Sequence, residues 1–424
     1  MKIAVIGAGV IGITTAYELT RDGHDVTVFD RRATAAEETS FANAGIVAPG
    51  YVAPWAAPGM PGKVLKHLIS RHAPVRISWP LGANEIAWMW RWYRACKLDT
   101  YFANRAQLHR LANYSLGQLQ RITRELKLEY DSQPGYLVLL RSQADYHLAQ
   151  PGLHALQELG VHYAELDGAG ARLIEPALHP DTALFGAIHL PNAQVANCRQ
   201  FVLLLKNETA RLGAEFRFST LVDRIHVSPA LALSLDGNPT RHQFDQVVVC
   251  AGVQSTSLLK PLGLNLALIP VYGYSLSATL RDPTHAPNSA VMDEHYKVSI
   301  SRLGQRIRVA GSAEIGGSPE TLRPGSIDTL YKVLQEWFPG ATQPSNGIQV
   351  WKGARPMLPD GPPLIGSAAQ KGLWLNLGHG SSGWALACGS ARVLADHIGG
   401  NQPEIDMSGL GLDASRVGRA VWHA

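Results

Sequence analysis

The chain begins with a short apolar run, Ile3 to Ile6 within KIAVI, that stops at a glycine. Such a run predicts a parallel strand buried on both faces. From 10 to 22 the apolar positions change spacing. Ile13, Ala16, Tyr17 and Leu19 fall on one side of a helix that Asp22-Gly23 ends. DVTVFD (25 to 30) returns to strand. Together these make a βαβ unit with a right-handed crossover.

Further along, NAGIVAPGYVAPWAAPGMPG (43 to 62) has no periodicity and carries repeated prolines, so it reads as an ordered loop. The pattern is helical from 84 to 126, strand-like over GYLVLL (135 to 140), and helical over 143 to 159 with Pro151 as an interruption. Asn197 is an N-cap for a helix over 197 to 212. Strands are expected at 214 to 220, 224 to 228 and 246 to 252. Between 271 and 311, VYGYSLSA, KVSISR and RIRVAG alternate apolar and polar residues, as antiparallel strands do. A helix over 326 to 337, a strand over LWLNLG (373 to 378) and a helix over 384 to 398 complete the pattern. No internal repeat is visible.

Composition narrows the classes. A chain of 424 residues with 46% hydrophobic and 17% charged residues is globular and long enough for two or three domains. A formal charge of +4 is too mild for a dedicated nucleic-acid binder, though it suits an anionic or zwitterionic substrate. Cys96, Cys198, Cys250 and Cys388 are scattered, with no CxxC pair and no metal-ligand spacing. A reduced, cytoplasmic protein without a metal site is expected. No signal-peptide pattern and no apolar run of membrane-spanning length is present in the sequence.

Candidate chemistry starts at Gly7, Gly9 and Gly12, which form GAGVIG between strand and helix. Gly7 allows the tight turn, Gly9 lets backbone approach a pyrophosphate, and Gly12 lets helix and strand pack closely. The helix N-terminus, at Val10 and Ile11, offers N–H groups and a positive dipole end to phosphates. Asp30 ends the second strand, where a carboxylate accepts from ribose hydroxyls. A Gly-rich turn in an unrelated α/β protein is the competing reading, and the strand, helix and acid around the motif weigh against it. Two distant strand ends, VVVCAG (247 to 252) and LGHGSSGW (377 to 384), favour extended FAD over NAD. The second would point amides and a helix dipole at the N1–C2=O edge of a flavin. A plain strand-to-helix turn is the alternative there.

Three stretches carry a family resemblance: SFANAGIVAPGYVAPWAAPG (40 to 59), WKGARPMLPDGPPLIG (351 to 366) and LWLNLGHGSSGWALACGS (373 to 390). From Met1 to about Pro403 the chain resembles the bacterial D-amino acid dehydrogenases of small-subunit type, within the D-amino acid oxidase, glycine oxidase and sarcosine oxidase superfamily. The resemblance implies an α/β fold: a glutathione-reductase-like, Rossmann-type FAD domain with an α+β substrate domain built on a mostly antiparallel sheet. The expected division is 1–50, 193–268 and 352–424 for FAD, with 51–192 and 269–351 for substrate. It also implies oxidative deamination of a small D-amino acid, as in D-alanine catabolism, to a 2-oxo acid and ammonia. Hydride would pass from Cα to flavin N5, and electrons onward to a quinone or respiratory carrier. An oxidase using O2, or a D-proline or hydroxyproline dehydrogenase, is the alternative. No Cys lies between Cys250 and Cys388, so the covalent flavin link of sarcosine oxidase relatives is not expected and FAD is non-covalent.

Expected site residues follow. Arg355 presents a planar fork to the substrate carboxylate, against the alternative of a structural pair with Asp360. Tyr51, Tyr296 and Tyr274, with Tyr272 behind them, offer phenols that hydrogen-bond or cover the substrate; half-buried core is the alternative for each. His379 lies in the Gly-rich loop. A catalytic-base role is set against an orienting one, and the second is favoured because hydride transfer needs a neutral amine rather than an enzymic base. Flavin contacts are expected from Arg31, Ser40, Asn43, Ala44, Gly45, Val222, Ala251 and Gly252, and from Gly378, Gly380, Ser381, Ser382 and Gly383. Finally, IAWMWRWYRAC (86 to 96) combines Trp with Arg, which suits a peripheral contact with the inner face of a membrane. Trp88 and Trp92 share a helical face, so core packing is the favoured reading. Oligomeric state is not set by the sequence.

Overall fold

The computed structural model describes residues 1–67, 72–342, 347–413 and 416. The opening run becomes the middle strand, Lys2–Ile6, of a six-stranded sheet. Its neighbours are Asp25–Phe29 and Gln246–Val249, both parallel to it. Glu215–Arg217 and Leu373–Leu377 extend the sheet in parallel, and Leu364–Ser367 closes it antiparallel. The unbroken apolar pattern has a direct cause. Ile3 and Val5 face a cluster containing Ile13, Tyr17 and Leu394, while Ala4 and Ile6 face one containing Val247, Val249 and Leu375.

Helices Val10–Arg21, Leu98–Glu125, Cys198–Arg211 and Gly383–Ile398 cover one face of this sheet. A buried ion cluster joins the first and last of them. Glu18 is fully buried and accepts from Arg392 at 2.6 Å, and Arg392 also reaches Asp396 at 2.8 Å. The expected helix at 197 is capped as read, with the Asn197 side chain accepting from Gln200 N.

A second, ten-stranded sheet stands beside the first. Ile269–Thr279, Arg306–Ile315, Val298–Leu303 and Ala290–Asp293 are antiparallel neighbours, as the alternation of 271 to 311 predicts. Gln349–Met357 adds to Ile269–Thr279 as the edge strand. Helix Pro324–Trp337 packs on one face, against Tyr274, Leu276, Ile300 and Val309. On the other face Tyr136, Val138 and Leu303 pack with Leu153 and Leu156 of helix Gln143–Glu158, and Val271 and Ile315 pack with Trp88 of helix Ala83–Ala95.

Several expectations change. The segment 43 to 62 is not all loop: Ile46–Val47 pairs with Val195 and Gln194, Pro49–Tyr51 is a 3-10 turn, and a helix starts at Met60. Pro151 does not interrupt its helix, which runs Gln143–Glu158 from a Ser142/Asp145 capping box; burial of Leu153, Ala155 and Leu156 outweighs the lost hydrogen bond. The strand Gly186–Ala196 and the hairpin Ala232–Leu235 with Asn238–Gln243 carry no alternation to announce them. The strands Ile46–Val47, Gly186–Ala196 and Gln349–Met357 all pair within the large sheet.

Candidate active site

A cavity of about 440 Å³ opens at the C-terminal ends of the parallel strands. Lys2–Ile6 sits between strands that leave it on either side, the switch point where α/β sheets bind ligands. The three glycines do what their spacing requires. Gly7 has φ +106°, and a Cβ on it would lie 2.6 Å from Cys250 O. A Cβ on Gly12 would run into the Gly7 carbonyl. Gly9 meets nothing closer than Ser40 Oγ at 3.4 Å, so its backbone is bare toward the cavity. Ser40 Oγ accepts from Val10 N at 3.0 Å and so caps the helix start. Asp30 accepts from Ala8 N at 2.6 Å and Arg32 N at 2.8 Å, which fixes its carboxylate at the cavity wall. Burial raises its pKa, and the two backbone donors oppose that.

Segments far apart in the chain meet here. Beside the first βαβ unit, Val222 comes from one strand, Ala251 and Gly252 from another, and Gly378, Gly380 and Gly383 from the C-terminal loop. Arg31 lines the cavity, but its Nε donates to Glu38 at 2.8 Å. Gly12, Asn43, Ala44, Gly45, Ser381 and Ser382 are not part of the lining. Gly12 lies beneath the Gly7 turn. The 43–45 segment is tied to the large sheet: Ser301 Oγ donates to Ala44 O at 2.7 Å, and Arg308 Nη1 donates to Asn43 O at 2.9 Å. Glu37, Glu38, Thr220, Gln254 and Asn376 line the cavity without having been anticipated. They occupy turns and strand ends with no motif of their own. Only the Arg31-Glu38 charge pattern could have drawn attention to the first two.

The edge strand Gln349–Met357 reaches this cavity. Thr39 Oγ1 donates to Ala354 O at 2.6 Å, Pro356 lines the cavity, and Met357 bridges to His379. Arg355 is half-buried on this strand. Its Nη1 donates to Ser312 O at 2.9 Å, and no carboxylate among the described residues pairs with it. Burial without an opposing charge pulls its pKa down to about 10. The alternative partner is taken: Asp360 Oδ1 accepts from Arg416 Nη2 at 3.1 Å.

The tyrosines separate. Tyr51 donates to Glu294 at 2.6 Å and stands edge-on to Tyr136, with ring centroids 5.5 Å apart. Tyr274 donates to buried Glu314 at 2.6 Å, and Lys352 Nζ lies 4.5 Å from the Tyr272 ring and 5.3 Å from that of Tyr274. Lys352 and Arg355 point to opposite sides of their strand, because side chains alternate. Tyr272 and Tyr274 therefore belong to the helix-covered side and do not meet Arg355. Tyr296 also sits there, between Arg141 at 5.0 Å and Lys332 at 5.5 Å, packed against the cluster of helix Pro324–Trp337.

His379 lines the cavity and is buried. Ser390 Oγ gives its proton to Leu386 O at 2.8 Å, so at 2.9 Å it accepts from His379 Nε2–H. That assigns the proton to Nε2. Burial pushes the His379 pKa down to about 3, so the ring is neutral and unsuited to proton exchange near pH 7. The unfolded chain binds a proton on this ring below about 6.5. The contribution of neutral His379 to stability is thus full above that pH and is lost as pH falls toward 3. In His379→Gln the acid loss of stability should be shallower by about 1.4 kcal/mol per pH unit across that window. Chemical denaturation at a series of pH values measures it, and an unchanged slope would refute the assignment.

A bare glycine backbone, a capped helix start, a fixed acid at the second strand end and an amide-rich C-terminal loop fit the ADP and flavin portions of FAD. Fold and site together define a flavin-dependent oxidoreductase of the two-sheet type. Residues 2–397 match the family model described as DAO, FAD dependent oxidoreductase, and the chain belongs to that family. A protein named D-amino acid dehydrogenase from Cereibacter sphaeroides is 42% identical over 415 residues, 97% of this chain and 95% of the relative. One of the same name from Allorhizobium ampelinum is 40% identical over 421 residues, covering 99% and 100%. Among solved structures, glycine oxidase from Geobacillus kaustophilus superposes with a TM-score of 0.76 at 19% identity, covering 97% of this chain and 98% of that one. Glycine oxidase from Bacillus cereus gives 0.72 at 20% identity, covering 94% and 95%. These two likenesses establish the fold.

Proposed function

We propose that the chain oxidises D-amino acids to 2-oxo acids and ammonia and passes the electrons to a quinone or another acceptor than oxygen. The observation that carries this reading is Arg355: a half-buried guanidinium without an acidic partner, on the strand that reaches the FAD cavity. The D-amino acid dehydrogenases aligned over nearly the whole chain support the substrate class. Bound FAD supplies the two-electron acceptor for the Cα hydride. Arg355 takes the substrate carboxylate bidentately, its Nη1 held by Ser312 O. Neutral His379 orients the loop and leaves the amine proton to water. FAD is held non-covalently in this reading. Cys250 lines the cavity, but burial pushes its thiol up to about 12 and keeps it protonated.

An anaerobic spectral titration of the FAD-loaded protein tests the proposal. D-amino acids should bleach the flavin and L-amino acids should not; bleaching by L-amino acids alone would overturn it. Dye reduction without peroxide separates a dehydrogenase from an oxidase, and D-proline or hydroxyproline in the same series tests the cyclic-substrate alternative.

The aromatic run at 86 to 96 supports a peripheral membrane contact in part. Trp88 is buried, and its ring stacks on Trp92 at 6.4 Å. Ile86, Trp90 and Tyr93 face outward, each more than half exposed, with Arg94 and Lys97 beside them. No helix among the described residues is long and apolar enough to cross a membrane. Vesicles containing anionic lipid should therefore retain the protein at low salt, and Trp90→Ser with Tyr93→Ser should release it. Equal retention of the double variant would exclude this face.

A further inference from the structure

Two glycines lie directly opposite each other in the large sheet, Gly273 on Ile269–Thr279 and Gly353 on Gln349–Met357. Neither has a positive φ, so backbone freedom does not explain them. Space does. A Cβ on Gly273 would lie 2.5 Å from the Arg355 Cζ, with the guanidinium nitrogens as its other nearest atoms. A Cβ on Gly353 would lie 2.6 Å from Trp351 Cζ2, within the six-membered ring of the indole. Directly opposed residues on antiparallel strands point to the same face. The guanidinium and the indole therefore lie flat and side by side on a glycine floor, about one strand spacing, ~4.8 Å, apart.

This floor is on the cavity side. Met357 lies on the same face of its strand as Arg355, Gly353 and Trp351, and its Sδ would stand 2.7 Å from a Cβ on Gly380, a residue of the cavity lining. Trp351 is held in place from above. Phe41 stacks on it with centroids 6.2 Å apart and rings 29° from parallel, and the Arg199 guanidinium lies 4.3 Å over Phe41. Thr39, two residues before Phe41, is hydrogen-bonded to Ala354 O on the same edge strand.

We infer that Trp351 is a specificity-determining residue, the wall against which the side chain of a bound amino acid rests while Arg355 holds its carboxylate. The inference rests on the carboxylate role given to Arg355 above. A rigid aromatic wall one strand spacing from the carboxylate site leaves room for small side chains and excludes branched or aromatic ones. Gly353 is the residue that lets the wall lie down, and Gly273 is the residue that lets the guanidinium do so.

The test uses FAD-loaded Trp351→Leu, Gly353→Ala and Gly273→Ala, with kcat/KM measured for D-alanine, D-leucine and D-phenylalanine. Flavin absorbance and a thermal melt check that each variant is folded and loaded. Trp351→Leu should raise the ratio of D-phenylalanine to D-alanine kcat/KM by roughly tenfold, the scale of one pocket contact. Gly353→Ala should move the ratio too, because it lifts the indole without removing it, and it stands alone if Trp351→Leu loses its flavin. Gly273→Ala should lower kcat/KM for all three substrates by a common factor, through KM, and leave the ratio unchanged. If Trp351→Leu and Gly353→Ala scale all three substrates equally, the wall does not exist. If instead Gly273→Ala leaves every KM intact, the carboxylate role of Arg355 fails, whatever Trp351 does.

Discussion

Arg355→Leu should abolish most of the proposed D-amino acid oxidation while leaving the fold at least as stable as before. The first half follows from the carboxylate it would no longer meet. Truncating one partner of a buried, hydrogen-bonded charge pair costs about 2–5 kcal/mol, which is roughly thirtyfold to several thousandfold in kcat/KM. The second half follows from what Arg355 lacks. It has no acidic partner among the described residues, and burial already lowers its pKa to about 10. Removing it leaves no buried carboxylate uncompensated and relieves a desolvated charge. A melting temperature equal to or above the parent, beside a collapsed kcat/KM, is the expected pair of results. Arg355→Lys should recover little, because an ammonium cannot reproduce the planar fork. A large loss of stability in Arg355→Leu would show that the residue is structural instead.

Gly12→Ala should lose the flavin and part of the fold together. Its Cβ would overlap the Gly7 carbonyl, and both partners are backbone, so neither can rotate aside. The helix Val10–Arg21 must move off the strand to make room, at about 1–3 kcal/mol for overpacking. Gly9→Ala makes the contrast. Its Cβ meets only Ser40 Oγ at 3.4 Å, so the protein without cofactor should melt unchanged, yet the methyl group stands where a pyrophosphate would approach. Flavin retention after gel filtration and the melting curve of the stripped protein measure both. If Gly12→Ala keeps both flavin and melting temperature, close helix–strand packing is not what holds this site.

The two glycine positions illustrate what could be read in advance. A strand, a turn and a helix that are adjacent in sequence form a nucleotide site by local rules alone. The cap at Asn197 is equally local. The tyrosines were harder for a physical reason. Alternation in VYGYSLSA identifies a strand, but in this sheet both faces are buried, one against helix Pro324–Trp337 and one toward the cavity. Polarity cannot then say which face holds the chemistry. Tyr274 and Tyr296 went to the helix side, and Trp351 took a place beside Arg355 that no sequence pattern marked.

By itself the sequence determined that a strand, a glycine turn and a helix open the chain with Asp30 at the end of the next strand, that a long antiparallel sheet follows, and that a Gly-rich loop joins a strand to a helix near the C-terminus. Each of these depends on neighbours within a few residues. Tertiary structure decided which charges find partners and which side chains share a wall. Asp360 pairs with Arg416 rather than Arg355, His379 is held neutral by burial against Ser390, and Gly273 and Gly353 meet across two strands to lay Arg355 beside Trp351. Such pairings join residues 11 to 80 positions apart, and their energies depend on burial that exists only once the sheets have packed.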